Sequence, residues 1–158
     1  MSYEGISGFY FPFTGEPNVN IDIPASIIPC TVCHEMAHQR GFAREDEANF
    51  ISYLVCSINP DVTFQYSGTL LALINSMNSL YKYAPQKYKT LIATYSKGLN
   101  RDLLELDQYW NYYEGPLEKL STKINNTYLK ANLQKNGVFS YGRMVDLLLA
   151  ENRRQYKK

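Results

Sequence analysis

The sequence predicts a mainly α fold, with a small β hairpin or arm at the N-terminus of one α+β domain. Residues 1–24 are rich in glycine, proline and aromatic residues, which excludes a long helix there. From Pro24 onward, apolar residues recur at helical spacing, and glycine or proline separates the periodic segments. The chain has 158 residues, enough for one domain with a hydrophobic core and too few for two domains of the usual size.

The N-terminal arm is predicted to contain two short strands, over residues 9–13 and 19–23. Residues 14–18, which separate them, read Thr-Gly-Glu-Pro-Asn. Such a segment between two apolar or aromatic runs is typical of a turn. The sequence therefore predicts a hairpin or an irregular β arm before the first helix.

Seven helical segments are predicted after the arm. They cover residues 27 or 28–40, 44–58, 63–83, 85–96, 100–113, 116–134 and 140–152. Gly41 suits the C-terminal end of the first helix, and Pro60 stops the second. The predicted organisation is a single domain over the whole chain, divided as follows: a β arm at 1–24, a metal-binding helix pair at 25–58 and a helical bundle at 60–158.

Charge and composition exclude several classes of protein. The 16 Lys and Arg residues nearly balance the 15 Asp and Glu residues, so no global field attracts nucleic acid. No stretch reaches the roughly 18 apolar residues that a membrane span needs, and this piece is expected to be soluble. The three cysteines are Cys30, Cys33 and Cys56, and we expect them to pack as small buried residues. A mixed Cys/His structural zinc site is the alternative.

The segment 34–38 reads His-Glu-Met-Ala-His and contains both histidines of the chain. Positions i and i+4 of a helix lie on one face, so His34 and His38 can share one Zn²⁺. Glu35 is rotated by about 100° from His34, where it can deprotonate a water that the metal activates. The alternative is that both histidines are structural residues on a half-buried helix.

A catalytic zinc site also needs a third protein ligand and an open position. The chain has no third histidine, so a carboxylate or a thiolate has to supply the ligand. Gly41 can end the first helix in a left-handed turn, after which the second helix would present Glu45 to the metal. Glu47 is the alternative ligand, whereas Asp46 should point away. Asn49, one turn after Glu45, could hydrogen-bond the spare N–H of a ligating histidine.

The pattern HExxHxxG at residues 34–41, followed by ExxAN at 45–49, resembles the gluzincin zinc metallopeptidases. The resemblance implies a zincin-like helical domain with Zn²⁺ as cofactor. It implies metal ligands at His34, His38 and Glu45, a general base at Glu35 and an outer hydrogen-bonding residue at Asn49.

A closer resemblance, covering nearly the whole chain, is to the bacterial domain-of-unknown-function family 3810. It rests on residues 7–10, 12–16, 34–50 and 137–143. Members of that family look like membrane-anchored proteins with transmembrane helices before this region. The resemblance therefore implies a membrane-associated parent protein, of which this chain is similar to the C-terminal soluble part.

Two further features bear on catalysis. Zinc peptidases need a donor for the tetrahedral oxyanion, and Tyr141 and Arg143 are candidates in a segment that the family resemblance covers. The alternative is that Ser140 caps the last helix and Tyr141 packs beneath it.

The arm at residues 9–13 could offer a strand edge to an extended substrate, or it could equally cover apolar helices.

Three functional hypotheses follow from these observations. The first is a zinc-dependent metallopeptidase with a peptide or protein substrate, in which Glu35 moves a proton from water to the leaving amine. The second is a zinc-binding, non-hydrolytic sensor or scaffold domain of a bacterial membrane protein. The third is a helical interaction module in which the motif is accidental. Metal content and the effect of replacing Glu35 separate the three.

Overall fold

Helices dominate the structure, and a two-stranded hairpin precedes them, which confirms the predicted fold class. The computed structural model describes residues 1–116, 118–119, 123 and 141–155. Within these residues the elements follow in order: a 3-10 helix Ser2–Glu4, β1 Gly8–Phe11, β2 Glu16–Val19, a 3-10 helix Ala25–Ile27, α1 Ile28–Gln39, α2 Glu45–Ile58, α3 Val62–Tyr83, α4 Pro85–Ile92, α5 Lys97–Tyr113 and α6 Tyr141–Gln155. Most of the helix predicted over 116–134 lies outside the described residues.

Strands β1 and β2 form an antiparallel hairpin in which Phe11 is opposite Glu16. The turn closes when the Gly15 N–H donates to the Phe11 carbonyl at 2.9 Å. Gly15 has a φ of 72°, which favours glycine. The prediction of a second strand over 19–23 was wrong, because the turn is complete at Gly15 and β2 begins at once. Pro17 is tolerated there because each strand of a two-stranded sheet is an edge strand.

Residues that follow β2 anchor the N-terminus instead of extending the strand. The buried Asn20 amide donates to Ser2 Oγ at 2.8 Å, and the Tyr109 hydroxyl donates to the same oxygen at 2.7 Å. The Asn20 backbone N–H donates to the Ser7 carbonyl at 2.8 Å. This network ties the start of the chain to α5, so Tyr109 joins two segments that are distant in the sequence.

Helix α1 packs against both strands on one side and against α2 and α3 on the other, and α6 covers α2 and α3. The largest fully buried side chains are Leu70, Met144, Cys56, Ser52 and Ser67. The two serines hold α1 in place: Ser67 Oγ accepts from the Cys30 N–H at 3.0 Å, and Ser52 Oγ donates to the Cys30 carbonyl at 2.6 Å. The core therefore holds α1 in one orientation through specific backbone contacts as well as through apolar burial.

The predicted helix ends fall within four residues of the observed ones, and the largest difference is at the end of α4. Helix α4 ends at Ile92, four residues before the predicted end at residue 96, and α5 begins at Lys97, three residues earlier than the predicted Asn100. Ser96 explains the earlier start, because its hydroxyl accepts from the Leu99 N–H at 3.2 Å and caps the helix. Among the described residues, no helix combines the length and the hydropathy that crossing a bilayer requires.

The turn between α1 and α2 is a Schellman motif. The Gly41 N–H donates to the His38 carbonyl at 3.0 Å, and the Phe42 N–H donates to the Ala37 carbonyl at 3.2 Å. Gly41 has a φ of 97°, in the left-handed region. Arg44 then adopts extended backbone angles and precedes the first residue of α2. This turn places the first turn of α2 beside the last turn of α1.

We expect Gly41→Ala to destabilise the fold by about 1–2 kcal/mol, because a side chain is strained at a left-handed φ. That corresponds to a Tm about 2–8 °C lower for a domain of this size. No atom lies within 4 Å of the added Cβ, so the effect comes from the backbone alone. Gly98→Ala in α5 is the matched control, because its Cβ meets only Ser96 Oγ at 3.9 Å. Thermal denaturation compares the variants, and an unchanged Tm for Gly41→Ala would contradict this account of the turn.

Candidate metal centre

The side chains of His34, His38 and Glu45 meet at one point between α1 and α2. The two imidazole Nε2 atoms are 3.0 Å apart. Glu45 Oε2 lies 3.2 Å from His34 Nε2, and Glu45 Oε1 lies 3.6 Å from His38 Nε2. Successive turns of α1 supply the imidazoles, and the turn at Gly41 returns the carboxylate. Among the described residues, these three form a group whose ligand atoms all lie within 4.8 Å of one another, close enough to hold a metal ion.

The separations fit a bound ion. Two ligand atoms held about 2.0–2.1 Å from a tetrahedral zinc are about 3.4 Å apart. The observed distances of 3.0, 3.2 and 3.6 Å lie on both sides of that value. An ion at the centre could therefore bond all three groups without a large movement of either helix. Imidazole and carboxylate ligands suit several divalent transition metals, so the group could hold a metal ion, and its geometry does not select the element.

A backbone carbonyl fixes the orientation of the second imidazole. His38 Nδ1 lies 2.7 Å from the Phe42 carbonyl oxygen. Because a carbonyl oxygen only accepts, Nδ1 carries a proton, and Nε2 points into the cluster, where it can donate to Glu45 when protonated or bind a cation through its lone pair when it is not. The sequence offered Asn49 as a hydrogen-bond partner for one of the two imidazoles. Among the described residues no hydrogen bond joins Asn49 to either imidazole, and its role stays a prediction. Gly41 was the sequence feature that could have predicted the hydrogen bond between His38 and Phe42, because the turn that it permits places the Phe42 carbonyl beside His38.

The charges of the cluster support one another. Burial opposes ionisation of the Glu45 carboxylate, but the hydrogen bonds it accepts from His34 and His38 outweigh burial and lower its pKa to about 2. Burial also acts to lower the pKa of His38, and the interaction with Glu45 outweighs it, so that pKa is raised. Without an ion the three groups share protons, and a metal would compete with those protons for the same lone pairs.

Glu35 lies beside the cluster, under strand β1. It is 3% exposed, and its Oε2 has no hydrogen-bond partner among the described residues. A Cβ added to Gly8 would lie 2.7 Å from both Cγ and Oε1 of Glu35, so the strand approaches this closely only because residue 8 is glycine. Burial raises the pKa of Glu35, although the nearby imidazoles oppose the rise. A buried carboxyl with a spare oxygen and a raised pKa is typical of a functional site.

Solvent reaches the cluster from the side of Glu45. The Glu45 side chain is 33% exposed, whereas those of His34 and His38 are 15% and 12% exposed. Glu35 lies deeper than all three. The cluster thus has a closed side, formed by α1 and β1, and an open side where a further ligand could approach.

A family model described as a protein of unknown function (DUF3810) matches residues 1–149. The chain belongs to the DUF3810 family. No curated protein and no solved structure matches it. The family description names no reaction, so the resemblance to metallopeptidases gains no support from it. The functional argument for this DUF3810 domain therefore rests on the residues of the candidate metal centre.

The two acidic residues that follow Glu45 in the DUF3810 chain pair with a neighbouring arginine instead. Arg44 donates to the buried Asp46 carboxylate at 2.7 Å, and Arg44 Nε lies 3.3 Å from Glu47 Oε1. Both contacts direct these carboxylates away from the imidazoles. Of the two residues that the sequence offered as third ligand, the structure brings Glu45 to the histidines and leaves Glu47 with Arg44.

The predicted oxyanion donors are not joined to the cluster by any described contact. Tyr141 is the first residue of α6, and its side chain lies outside the described residues. Arg143 lies on the same helix with an exposed side chain. Their catalytic role in the DUF3810 domain stays a prediction.

We expect Zn²⁺ or a similar divalent ion to raise the Tm of the DUF3810 domain, because only the folded chain assembles the three ligands. At a free ion concentration 100 times Kd, the stabilisation is about 2.7 kcal/mol, equivalent to about 5–11 °C. Thermal denaturation with the ion and with a chelator measures the shift.

Substituting alanine for His34, His38 or Glu45 should abolish that shift. Glu47→Ala is the matched control and should keep it, since Glu47 lies on the same helix turn but pairs with Arg44. If the shift survived in Glu45→Ala and disappeared in Glu47→Ala, the assignment of the third ligand would be reversed.

Proposed function

We propose that this domain is a zinc-dependent metallopeptidase that hydrolyses peptide bonds. The observation that carries the proposal is the cluster of His34 Nε2, His38 Nε2 and the Glu45 carboxylate, with separations of 3.0–3.6 Å and one open side. Two histidines, one glutamate and an open position form the ligand set of catalytic zinc sites in thermolysin-type peptidases. The buried Glu35 beside the cluster adds the proton-transfer group that such a site needs.

Zinc held by these ligands would supply a Lewis acid that polarises a carbonyl and lowers the pKa of water to about 7. Glu35 then accepts the proton of the attacking water, and its Oε2 has no hydrogen bond that competes for this role. Because burial raises the pKa of Glu35, the protonated form persists closer to neutral pH and can donate to the leaving amine. The hydrogen bond to the Phe42 carbonyl holds His38 in the tautomer that binds a cation.

The hairpin supports a peptide as the class of substrate. Among the described residues β1 pairs only with β2, so no strand is paired with its other edge. An extended peptide can add to such an edge through main-chain hydrogen bonds. Because Gly8 of β1 touches Glu35, a peptide paired along this strand would run past the carboxyl group. Strand β1 would then both cover the base and align the substrate.

One observation favours a second candidate, a zinc-binding domain that senses or scaffolds without hydrolysis. Glu35 is 3% exposed beneath β1, so a substrate approaching from the open side of Glu45 meets the ligands before it meets the base. A closed base would leave the metal centre in a structural or sensing role. Hydrolysis by the zinc-loaded protein separates the two candidates.

Replacing the proposed base tests the first candidate directly. We expect Glu35→Gln to lower kcat/KM for peptide hydrolysis by about 10²–10⁴-fold, because the amide cannot accept the proton of water. The zinc content should stay at one ion per chain, since Glu35 is not a ligand. A peptide library analysed by mass spectrometry measures cleavage, and elemental analysis measures zinc.

Glu47→Gln serves as the matched control and should retain full activity, because Glu47 pairs with Arg44. The folding of Glu35→Gln is checked by its Tm in chelator, which should equal or exceed that of the parent chain at neutral pH. The ionised Glu35 is disfavoured by burial, so its folded pKa lies above the unfolded value and its unfavourable contribution grows as pH rises. A zinc-loaded parent chain that cleaves nothing would support the non-hydrolytic candidate instead.

Gly8→Ala should displace Glu35 without removing a ligand. The added methyl group would lie 2.7 Å from the Glu35 side chain, and the buried carboxyl must shift to make room. We expect kcat to fall by about 10- to 100-fold, the usual effect of misplacing a catalytic group by about 1 Å, with little change in zinc affinity. Gly98→Ala is the control. An unchanged kcat would show that Glu35 need not occupy the observed position.

A further inference from the structure

Two buried thiols face each other where α1 packs against α2. Cys33 Sγ and Cys56 Sγ are 3.7 Å apart, and both cysteines are free. Cys56 lies on the face of α2 that carries Glu45, about three turns further along the helix. Cys33 precedes His34 and is rotated from it by about 100° around α1. The thiol pair therefore lies in the same contact between α1 and α2 as the candidate metal centre. The proposed hydrolysis makes no use of the thiols.

The packing around Cys56 makes Cys33 the cysteine that is placed to bond with it. A Cβ added to Gly68 of α3 would lie 2.4 Å from Cys56 Cβ, so the backbone of α3 supports Cys56 from behind as closely as glycine permits. The third cysteine, Cys30, belongs to the same buried cluster, but its thiol donates to the Ile27 carbonyl at 3.1 Å. Of the two α1 cysteines, Cys33 is the one whose sulfur contacts that of Cys56.

From this geometry we propose that Cys33 and Cys56 form a reversible disulfide bond that links α1 to α2. A disulfide has an S–S length of about 2.05 Å, so the two sulfurs must approach by about 1.7 Å. Rotation of the side chains and a small movement of α1 against α2 cover that distance. Burial alone makes a thiol inert, but once one sulfur of a contacting pair is oxidised, the other is present at a high effective concentration to attack it.

The oxidant would be hydrogen peroxide, which is little larger than water. Cys33 reacts first, because it is 7% exposed whereas Cys56 is fully buried. Its sulfur attacks one peroxide oxygen, the O–O bond breaks, and a sulfenic acid and one water form. The Cys56 sulfur then attacks the Cys33 sulfur, the S–O bond breaks, and a second water carries away the thiol proton. Two thiols thus lose two protons and two electrons, and one peroxide becomes two waters.

The bond would enclose the segment that contains all the proposed metal ligands. Closing the loop from residue 33 to residue 56 restricts the unfolded chain, which stabilises the folded one. The oxidised protein should therefore have a Tm at least about 5 °C higher than the reduced protein. Dithiothreitol should reverse the shift, since the bond can be reduced again.

The test uses the full chain, purified with reductant and then treated with hydrogen peroxide in the presence of a chelator. After denaturation, alkylation and digestion, peptide mapping by mass spectrometry should find Cys33 linked to Cys56. Cys30 should remain alkylated, so one of the three thiols is left free. Cys30→Ala is the matched control and should still form the bond, whereas Cys56→Ala should show neither the linked peptide nor the rise in Tm.

A Cys30–Cys33 bond as the main product, overoxidation of Cys33 without a link, or three unchanged thiols would each overturn the proposal. The peptide map of the parent chain decides the matter even if a variant fails to fold. Because the readout is covalent and the chelator keeps metal away, the result is independent of whether the domain binds zinc or cleaves peptides.

Discussion

The contact between the Glu45 carboxylate and the two imidazoles is the interaction on which the candidate centre depends. It exists because the chain reverses at Gly41, where a left-handed φ of 97° and two hydrogen bonds return α2 to the end of α1. The same reversal provides the carbonyl that orients His38. One backbone conformation thus positions Glu45, the third candidate ligand, and orients the imidazole of His38, so only a few residues need separate the two histidines from the carboxylate.

Glu35 shows how the fold accommodates a group that does not favour stability. A buried carboxyl oxygen without a partner is unfavourable, because its desolvation is not repaid by a hydrogen bond. The surroundings hold it nonetheless: strand β1 lies against it at Gly8, and the Cys30 backbone is fixed by Ser52 and Ser67. The helix beneath the strand keeps the Glu35 carboxyl in place and leaves one of its oxygens free to transfer a proton. This is the pattern expected where function overrides stability.

Local signals in the sequence predicted the local features of the structure. The spacing of His34 and His38, and the glycine that ends their helix, predicted α1 and the return of Glu45, and the apolar periodicity predicted the other described helices. The register of β2, the contact between Gly8 and Glu35 and the Cys33–Cys56 pair were not predicted. Each depends on which segments distant in the sequence come into contact, and the spacing of residue types along the chain carries little information about such contacts. The Phe42 carbonyl that orients His38 was not predicted either, since a backbone carbonyl has no sequence signature, and the role of Asn49 stays a prediction.

The central claim is that His34, His38 and Glu45 bind one metal ion. Anomalous scattering at the zinc absorption edge, from crystals of the zinc-loaded protein, tests it most directly. The account predicts one peak per chain, with two imidazole Nε2 atoms at about 2.0–2.1 Å and a Glu45 oxygen at about 2.0–2.2 Å. A zinc peak bound to other residues, or crystals in which saturating zinc leaves the two imidazoles and Glu45 bonded only to one another, would contradict it.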